Sequence, residues 1–350
     1  MDPPICLLDL SYEELERLLT DWGEPSYRAE QVWQWTYRRL AASCGEMTNL
    51  PKSLRQRLRE SVRMRSLRLV TAQSTDDGLT EKALLETADG ARIETVLMRY
   101  EERNTVCVSS QVGCAVGCPF CATGQMGLER DLSAGEIVGQ VLHFARKLNH
   151  QGSQVTNVVY MGMGEPLLNY DAVWCSIERL HHPSGANMGT RRFTVSTIGI
   201  VPGIERLARE QSEVGLAVSL HAPTNALRNE LVPLNRHYPI EDILEAVRFY
   251  IGETGRRVTF EYALIAGVND TPALAHATAD LLAEMLCHVN LIPLNPVPGS
   301  GLKPSDEQTT RRFQDVLQNR GIATTLRKSR GSEIAAACGQ LSAAQPKQTG

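Results

Sequence analysis

The chain has 350 residues, of which 42% are apolar and 22% charged, with a formal net charge of -4. At about 150 residues per domain this allows roughly two domains with a sizeable core, and it excludes wholesale disorder and collagen-like or fibrous architectures. No apolar run approaches the roughly 18 residues of a membrane span, and the opening segment MDPPICLLDLSYEELERLL has no basic region leading into an apolar one; the sequence therefore predicts a cytoplasmic protein without a membrane partner.

In chain order, Ser11 followed by Glu14 forms a capping box that opens a helix running to about Trp22, and Gly23 and Pro25 end it. A second helical stretch, YRAEQVWQWTYRRLAAS, carries Trp33, Trp35 and Tyr37, and a third spans about Lys52 to Val62. Core packing is the commoner fate of Trp in a small helical unit, although aromatics among arginines also suit stacking on unpaired bases. Between Arg28 and Arg68 ten Lys or Arg face three acids, a local charge of +7 that leaves the rest of the chain at -11. A run of this kind is either a solvated helix face or a docking surface for a polyanion such as RNA.

LRLVTAQ, TEKALLETA and ARIETVLMRY then read as an antiparallel meander turning at Asp77-Gly78 and Asp89-Gly90. From there strands alternate with helices: TVCVSS, VTNVVYM, RFTVST, VGLAVSL, RVTFEYALI and HVNLIPL make six βα units, with one further strand in IATTLRKS. Six such units predict an α/β fold built on a parallel sheet curled into a partial (β/α)6 barrel, with chemistry at the carboxyl ends of its strands. The expected organisation is a helical basic unit over 1–65, the meander over 66–100, the barrel over 101–328 and a C-terminal segment over 329–350 with a frayed Gln/Lys/Ala-rich end.

Nine cysteines in a chain without an export signal point to thiol or metal chemistry and not to a disulfide scaffold. Cys114, Cys118 and Cys121 stand in QVGCAVGCPFCATG directly after the first barrel strand, three soft ligands on a loop loosened by Gly113, Gly117 and Gly124. Thiolates at this spacing suit an iron–sulfur cluster or zinc, but a structural zinc site takes four protein ligands, and three leave one iron of a four-iron cluster open to a small molecule. Polar groups recur at the other strand ends: Gly164 and Glu165 after the second, Ser196 at the third, Ser219, Leu220 and His221 at the fourth, and Asn295 after the sixth. Cys107 lies on the first barrel strand and Cys338 in a Gly- and Ala-flanked segment near the end. Glu94 interrupts an apolar strand, where a carboxylate is either edge-exposed or functional.

CVSSQVGCAVGCPFCATG resembles the cysteine loop of the radical S-adenosylmethionine (SAM) superfamily. Together with NVVYMGMGEPLLN, FTVSTIGIVPGI, LAVSLHAP, NLIPLNPVPG and RKSRGSEIAAACGQL, it is similar to the RlmN/Cfr family of RNA adenine methyltransferases, and more to its RlmN branch, over nearly the whole chain. The resemblance implies a [4Fe-4S] cluster on Cys114, Cys118 and Cys121, and a SAM pocket formed by the strand-end residues just named. It implies methylation of carbon 2 of adenosine 2503 in 23S rRNA, and of adenosine 37 in some tRNAs, with flavodoxin or ferredoxin as electron donor.

It also implies roles for the remaining three residues. One SAM methylates Cys338; a second is cleaved to a 5′-deoxyadenosyl radical that takes hydrogen from that methyl group, and the carbon radical adds to adenine. Glu94 accepts the ring proton, and Cys107 attacks the Cys338 sulfur, freeing the product through a transient disulfide. Two departures from the family pattern, Ser332-Glu333 in RGSEI and the run HAPTNALRNELVPLNR, touch none of these residues. The alternatives are methylation at carbon 8, a non-catalytic RNA-binding protein with a zinc-stabilised loop, and an activase acting on a protein partner.

Overall fold

Ser11 accepts from the Glu14 amide while Glu14 reaches back to the Ser11 amide, so the predicted capping box opens the helix Tyr12–Asp21. The helices Tyr27–Trp33, with a π-type turn over Gln34–Arg38, and Lys52–Ser61 complete an N-terminal helical unit. Trp33 and Tyr37 are buried in it, as core packing requires. Trp35 and Trp22 are half-buried, each beneath a guanidinium, Arg39 and Arg57 respectively. The computed structural model describes residues 5–327 and 330–343, and the end expected to fray, 344–350, lies outside them.

One sheet of ten strands runs through the rest of the chain, and its members stand side by side in chain order, with one short separate hairpin between the fourth and fifth. The strands β1 (Arg68–Ser74), β2 (Thr80–Glu86) and β3 (Arg92–Arg99) form the antiparallel meander, with Gly78 and Gly90 in the two turns. β3 pairs antiparallel with β4 (Asn104–Cys107), so the meander continues the barrel sheet instead of standing apart from it. β4 then begins a parallel series: β5 (Asn157–Tyr160), β6 (Phe193–Thr197), β7 (Gly215–Ser219), β8 (Val258–Leu264), β9 (Cys287–Pro293) and β10 (Thr324–Leu326). The six predicted βα strands and the further strand are all present. The sheet has two free edges, β1 and β10, so the barrel is partial.

Helix Ala134–His150 is held by a second capping box, Ser133 with Glu136, and fastens the first strand end to the barrel wall. Its buried Gln140 accepts from the Ser109 amide (2.7 Å) and donates to the Ser109 carbonyl (2.9 Å), replacing the ladder partners that β4 loses as it leaves the sheet. The same helix carries the N-terminal unit: Gly135 donates to Asp9 (3.0 Å), Ser66 donates to the Gly135 carbonyl (2.7 Å), and Arg146 bonds the carbonyls of Leu40 and Ala41. Buried side chains of the helical unit, the meander and the barrel form one continuous apolar core. Among the described residues no helix is long and apolar enough to cross a membrane.

Candidate active site at the barrel mouth

The cysteine loop leaves β4 between two short paired strands, Gln111–Gly113 and Leu128–Asp131. Gly113 has φ +78, and a Cβ there would lie 1.9 Å from the Gly127 carbonyl oxygen, so only glycine lets the two flanks of the loop close. Cys114, Cys118 and Cys121 line one wall of a cavity of about 180 Å³. Around the same cavity stand Gly164, Glu165, Ser196, Ser219, His221 and Asn295, together with Cys338. The structure thus brings together nearly every residue placed at a strand end by the sequence. Leu220 is the exception: its side chain is fully buried in the main core and does not reach the cavity wall, because alternate residues leaving a strand face opposite sides.

Burial controls the electrostatics of this cavity. It pushes Glu165 up to about 7, against the hydrogen bonds its carboxylate accepts from the amides of Ile198 (2.8 Å) and Leu167 (3.0 Å). His221 is pushed down to about 3 by burial and by the Arg228 guanidinium, so its ring is neutral. Its Nδ1 accepts from the Ala263 amide (3.0 Å), which leaves the proton on Nε2. Neither the Ser196 nor the Ser219 hydroxyl forms a hydrogen bond within the described residues, so both remain available to a ligand. Gly164, at φ +99, brings bare backbone beside Gln111, whose side chain a Cβ would strike at 2.6 Å.

The loop thiols fit a metal group that forces their deprotonation. Burial raises Cys114 to about 11, Cys118 well above the ordinary thiol range, and Cys121 as well, so none ionises unaided near neutrality. Among the described residues no group of three His, Cys, Asp or Glu side chains converges so as to hold a single ion. Thiolates of an iron–sulfur cluster bind different irons and need not converge on one point.

A second, smaller cavity of about 40 Å³ adjoins the first and is lined by Cys107, Tyr100, Arg327, Arg330 and, again, Cys338. Cys107 is buried and pushed up to about 12, chiefly by desolvation. Cys338 is exposed, and both cavities share it. All nine cysteines are free, so the resting fold holds no disulfide.

The segment carrying Cys338 is clamped across the barrel mouth. Asn295 donates to the Cys338 carbonyl (3.0 Å), Ala122 to that of Gly339 (2.7 Å) and Thr123 to that of Leu341 (2.6 Å). Glu94 is not at an edge: it is 1% exposed. One carboxylate oxygen pairs with Lys82 (2.8 Å) and the other accepts from the Ser342 amide (2.8 Å), and the side chain lines neither cavity. Lys82 in turn donates to the Ala335 carbonyl (3.1 Å). In this arrangement the residue expected to accept a proton also anchors the tail.

The sequence reading missed Lys82, Arg327 and Glu261. Arg327 directly follows β10 and lines both cavities, and its guanidinium is held above its ordinary range, first by Cys338. Glu261 is buried within β8; it accepts from Asn290 (3.0 Å) and has its second oxygen 3.9 Å from Arg327. A carboxylate in the apolar run VTFEYALI was the available signal, of the same kind that drew attention to Glu94.

Two family models match the chain: "Ribosomal RNA large subunit methyltransferase N-terminal domain" over residues 5–64 and "Radical SAM superfamily" over 108–278. A probable dual-specificity RNA methyltransferase RlmN of Chloroflexus aurantiacus is 52% identical over 347 residues, covering 96% of this chain and 92% of its own. A ribosomal RNA large subunit methyltransferase N of Nitrosopumilus maritimus is 48% identical, covering 94% of this chain and 96% of its own. The crystal structure of a radical SAM methyltransferase from Sphaerobacter thermophilus superposes with a TM-score of 0.96 at 55% identity, covering 97% of this chain and 100% of that one.

The Glu94–Lys82 pair gives a direct test of the clamp. Glu94→Gln leaves a nearly buried ammonium without its counter-charge, an expected loss of about 3 kcal/mol in denaturant unfolding. Alkylation of Cys338 in the native protein should accelerate as the tail loosens, whereas an unchanged rate would show that Glu94 does not hold it.

Proposed function

We propose, from the premise that this chain belongs to the RlmN family of radical SAM RNA methyltransferases, that it methylates carbon 2 of adenosine 2503 in 23S rRNA and of adenosine 37 in some tRNAs, by way of a methyl group carried on Cys338. Membership sets aside the non-catalytic zinc protein and the activase as readings of this sequence. The observation that carries the proposal is the position of Cys338, on the partition between the cavity of the three loop thiols and the cavity of Cys107.

Cys114, Cys118 and Cys121 would hold the [4Fe-4S] cluster that the superfamily implies, with Glu165, Ser196, Ser219, His221 and Asn295 around SAM. Bound there, the cluster supplies the electron that cleaves SAM reductively. Glu165 offers a carboxylate to the SAM ammonium; Ser196, Ser219 and the Nε2–H of His221 offer donors to its other polar groups. Leu220 contributes only main chain between two of these positions. The apolar loop wall around the thiols keeps water from the reacting atoms.

Carbon 2 of adenine has no lone pair to attack a methyl cation, so the carbon must reach it as a radical. Cys338 takes its methyl group from one SAM and a second is consumed at the cluster, making two per turnover. Cys338 then presents that carbon to the base. Once the carbon is joined to adenine, the odd-electron adduct regains its aromatic ring by losing one proton and one electron: Glu94 accepts the proton, which requires Ser342 to move off its carboxylate, and the electron goes back to the cluster that the loop thiols would hold. Cys107 attacks the Cys338 sulfur: a sulfur–sulfur bond forms, the carbon–sulfur bond breaks, and the departing carbon takes the electron pair and a proton to become the methyl group. Arg327, beside both cysteines, supports the thiolate that burial disfavours. A flavodoxin- or ferredoxin-type donor then reduces the disulfide and supplies the next electron.

RNA docking falls to the basic segment. Arg38, Arg39, Lys52, Arg57, Arg59 and Arg65 are exposed and form no salt bridge among the described residues. Exposed, unpaired charge concentrated on one small unit of an otherwise acidic chain is what docking of a polyanion needs, and the alternative of a solvated helix face is left to the salt dependence of binding.

Two experiments test this account. Replacing Arg57, Arg59 and Arg65 with Gln should lower the slope of log affinity for RNA against log salt by about 2, with RNA-free SAM cleavage unaffected. An unchanged slope returns the charge run to an ordinary solvated face. Cys107→Ala should still couple Cys338 to adenine but fail to release it, leaving protein covalently joined to labelled RNA on a denaturing gel and freed of label by nuclease. Normal turnover without that species contradicts the two-cysteine route.

A further inference from the structure

The run HAPTNALR contains a cation with no role in the chemistry above. Arg228, on the helix Asn225–Leu231, is 0% exposed. Its Nε donates to the Leu220 carbonyl (2.9 Å), one terminal nitrogen to Asn235 Oδ1 (2.6 Å), and the other to the carbonyls of Ser219 (2.9 Å) and Ile198. Every acceptor is neutral, and among the described residues no carboxylate pairs with it. A guanidinium taken out of water without a counter-charge is costly, and hydrogen bonds to carbonyls offset only part of that cost.

The nearest chemistry that can supply the missing negative charge is the cysteine loop. Leu231 and Val232, three and four residues after Arg228 at the end of this helix, pack with Cys118 in a small apolar group that has Cys114 and Cys121 at its margin. Three thiolates around a four-iron cluster give one net negative charge when oxidised and two when reduced. We propose that Arg228 is the built-in counter-charge of the cluster, a positioning residue that favours its reduced state and raises its reduction potential while bracing the strand ends that carry Ser219 and Ile198. The inference rests on the reading of the loop as a cluster site. The step concerned is the gain of one electron by the cluster from a one-electron donor, with no bond formed or broken.

Burial accounts for the rest of the picture. It holds Arg228 down at about 10, with Cys118 the group that pushes back, and the low dielectric that penalises the lone cation also strengthens its attraction to charge on the loop. The ring of His221 feels the same cation and stays neutral, so it does not compete as a second positive charge.

The test is an anaerobic redox titration of the iron-loaded protein with dithionite, followed by electron paramagnetic resonance, without SAM or RNA. At the potential where half of the unsubstituted protein is reduced, Arg228→Gln should lower the ratio of reduced to oxidised cluster about tenfold, ~59 mV for one electron. Arg228→Lys, which keeps the charge and loses the carbonyl bracing, should stay within about twofold. Asn235→Asp, which sets a carboxylate against the guanidinium, should shift the ratio in the same direction as Arg228→Gln. It decides the matter alone if Arg228→Gln fails to fold or to load iron. A shared potential across the set overturns the proposal, as does an Arg228→Lys shift equal to that of Arg228→Gln, which would mean geometry and not charge. A reconstituted parent protein that takes up no iron and sulfide fails the cluster reading itself, and the two failures are distinguishable.

Discussion

The site depends on a tail held across the barrel mouth. Residues 330–343 are bonded to three parts of the chain that are far apart in sequence: to β2 and β3 through Lys82 and Glu94, to the cysteine loop through Ala122 and Thr123, and to the end of β9 through Asn295 and Pro296. These bonds put one thiol, Cys338, on the wall between two cavities. Without the clamp the barrel would keep a cavity and the three loop thiols but have no fourth thiol beside them. The cost is an ion pair taken almost out of water, which a fold tolerates where it specifies one arrangement of its parts.

A second constraint is dryness. Glu165, Glu261 and His221 are buried in the wall of one cavity and Arg228 is buried outside it, and burial shifts each toward its neutral form. Desolvation of this kind makes each remaining charge act strongly on its neighbours, so Arg228, on the helix packed with the loop's apolar group, and Arg327, in the wall of both cavities, have large electrostatic leverage. The thiols of Cys107 and the loop are likewise poor thiolates until a cation or a metal group favours ionisation.

What was legible in the sequence was local. Two Asp-Gly turns, the Ser11–Glu14 box and the alternation of apolar strands with helices each depend on neighbours a few residues away, and each stands where it was expected. The cysteine loop and the strand-end residues could be grouped because the fold class sends all strand ends to one rim. Long-range pairing left no such trace. Glu94 meets Ser342 across 248 positions, which no periodicity records, so its burial and its hold on the tail came only with the structure. A lysine on a meander strand carries no signal of burial, because lysines are mostly exposed. Glu261 and Arg327 lie on neighbouring strands or their ends, and only the registers of β8, β9 and β10 bring them near each other. The meander reads as a separate unit because β3 and β4 are joined by a short polar turn of the kind that also ends domains, while the pairing of Val96 with Cys107 makes them one sheet.

The central claim is that Cys338 carries the carbon, and the most direct measurement is a mass spectrum of peptides from iron-loaded protein given methyl-labelled SAM and no RNA. The account predicts a single labelled methyl group on Cys338 and none on the other eight cysteines. Label on Cys107 or on a loop cysteine, or an unmodified Cys338 in a protein that nonetheless methylates RNA, would contradict it.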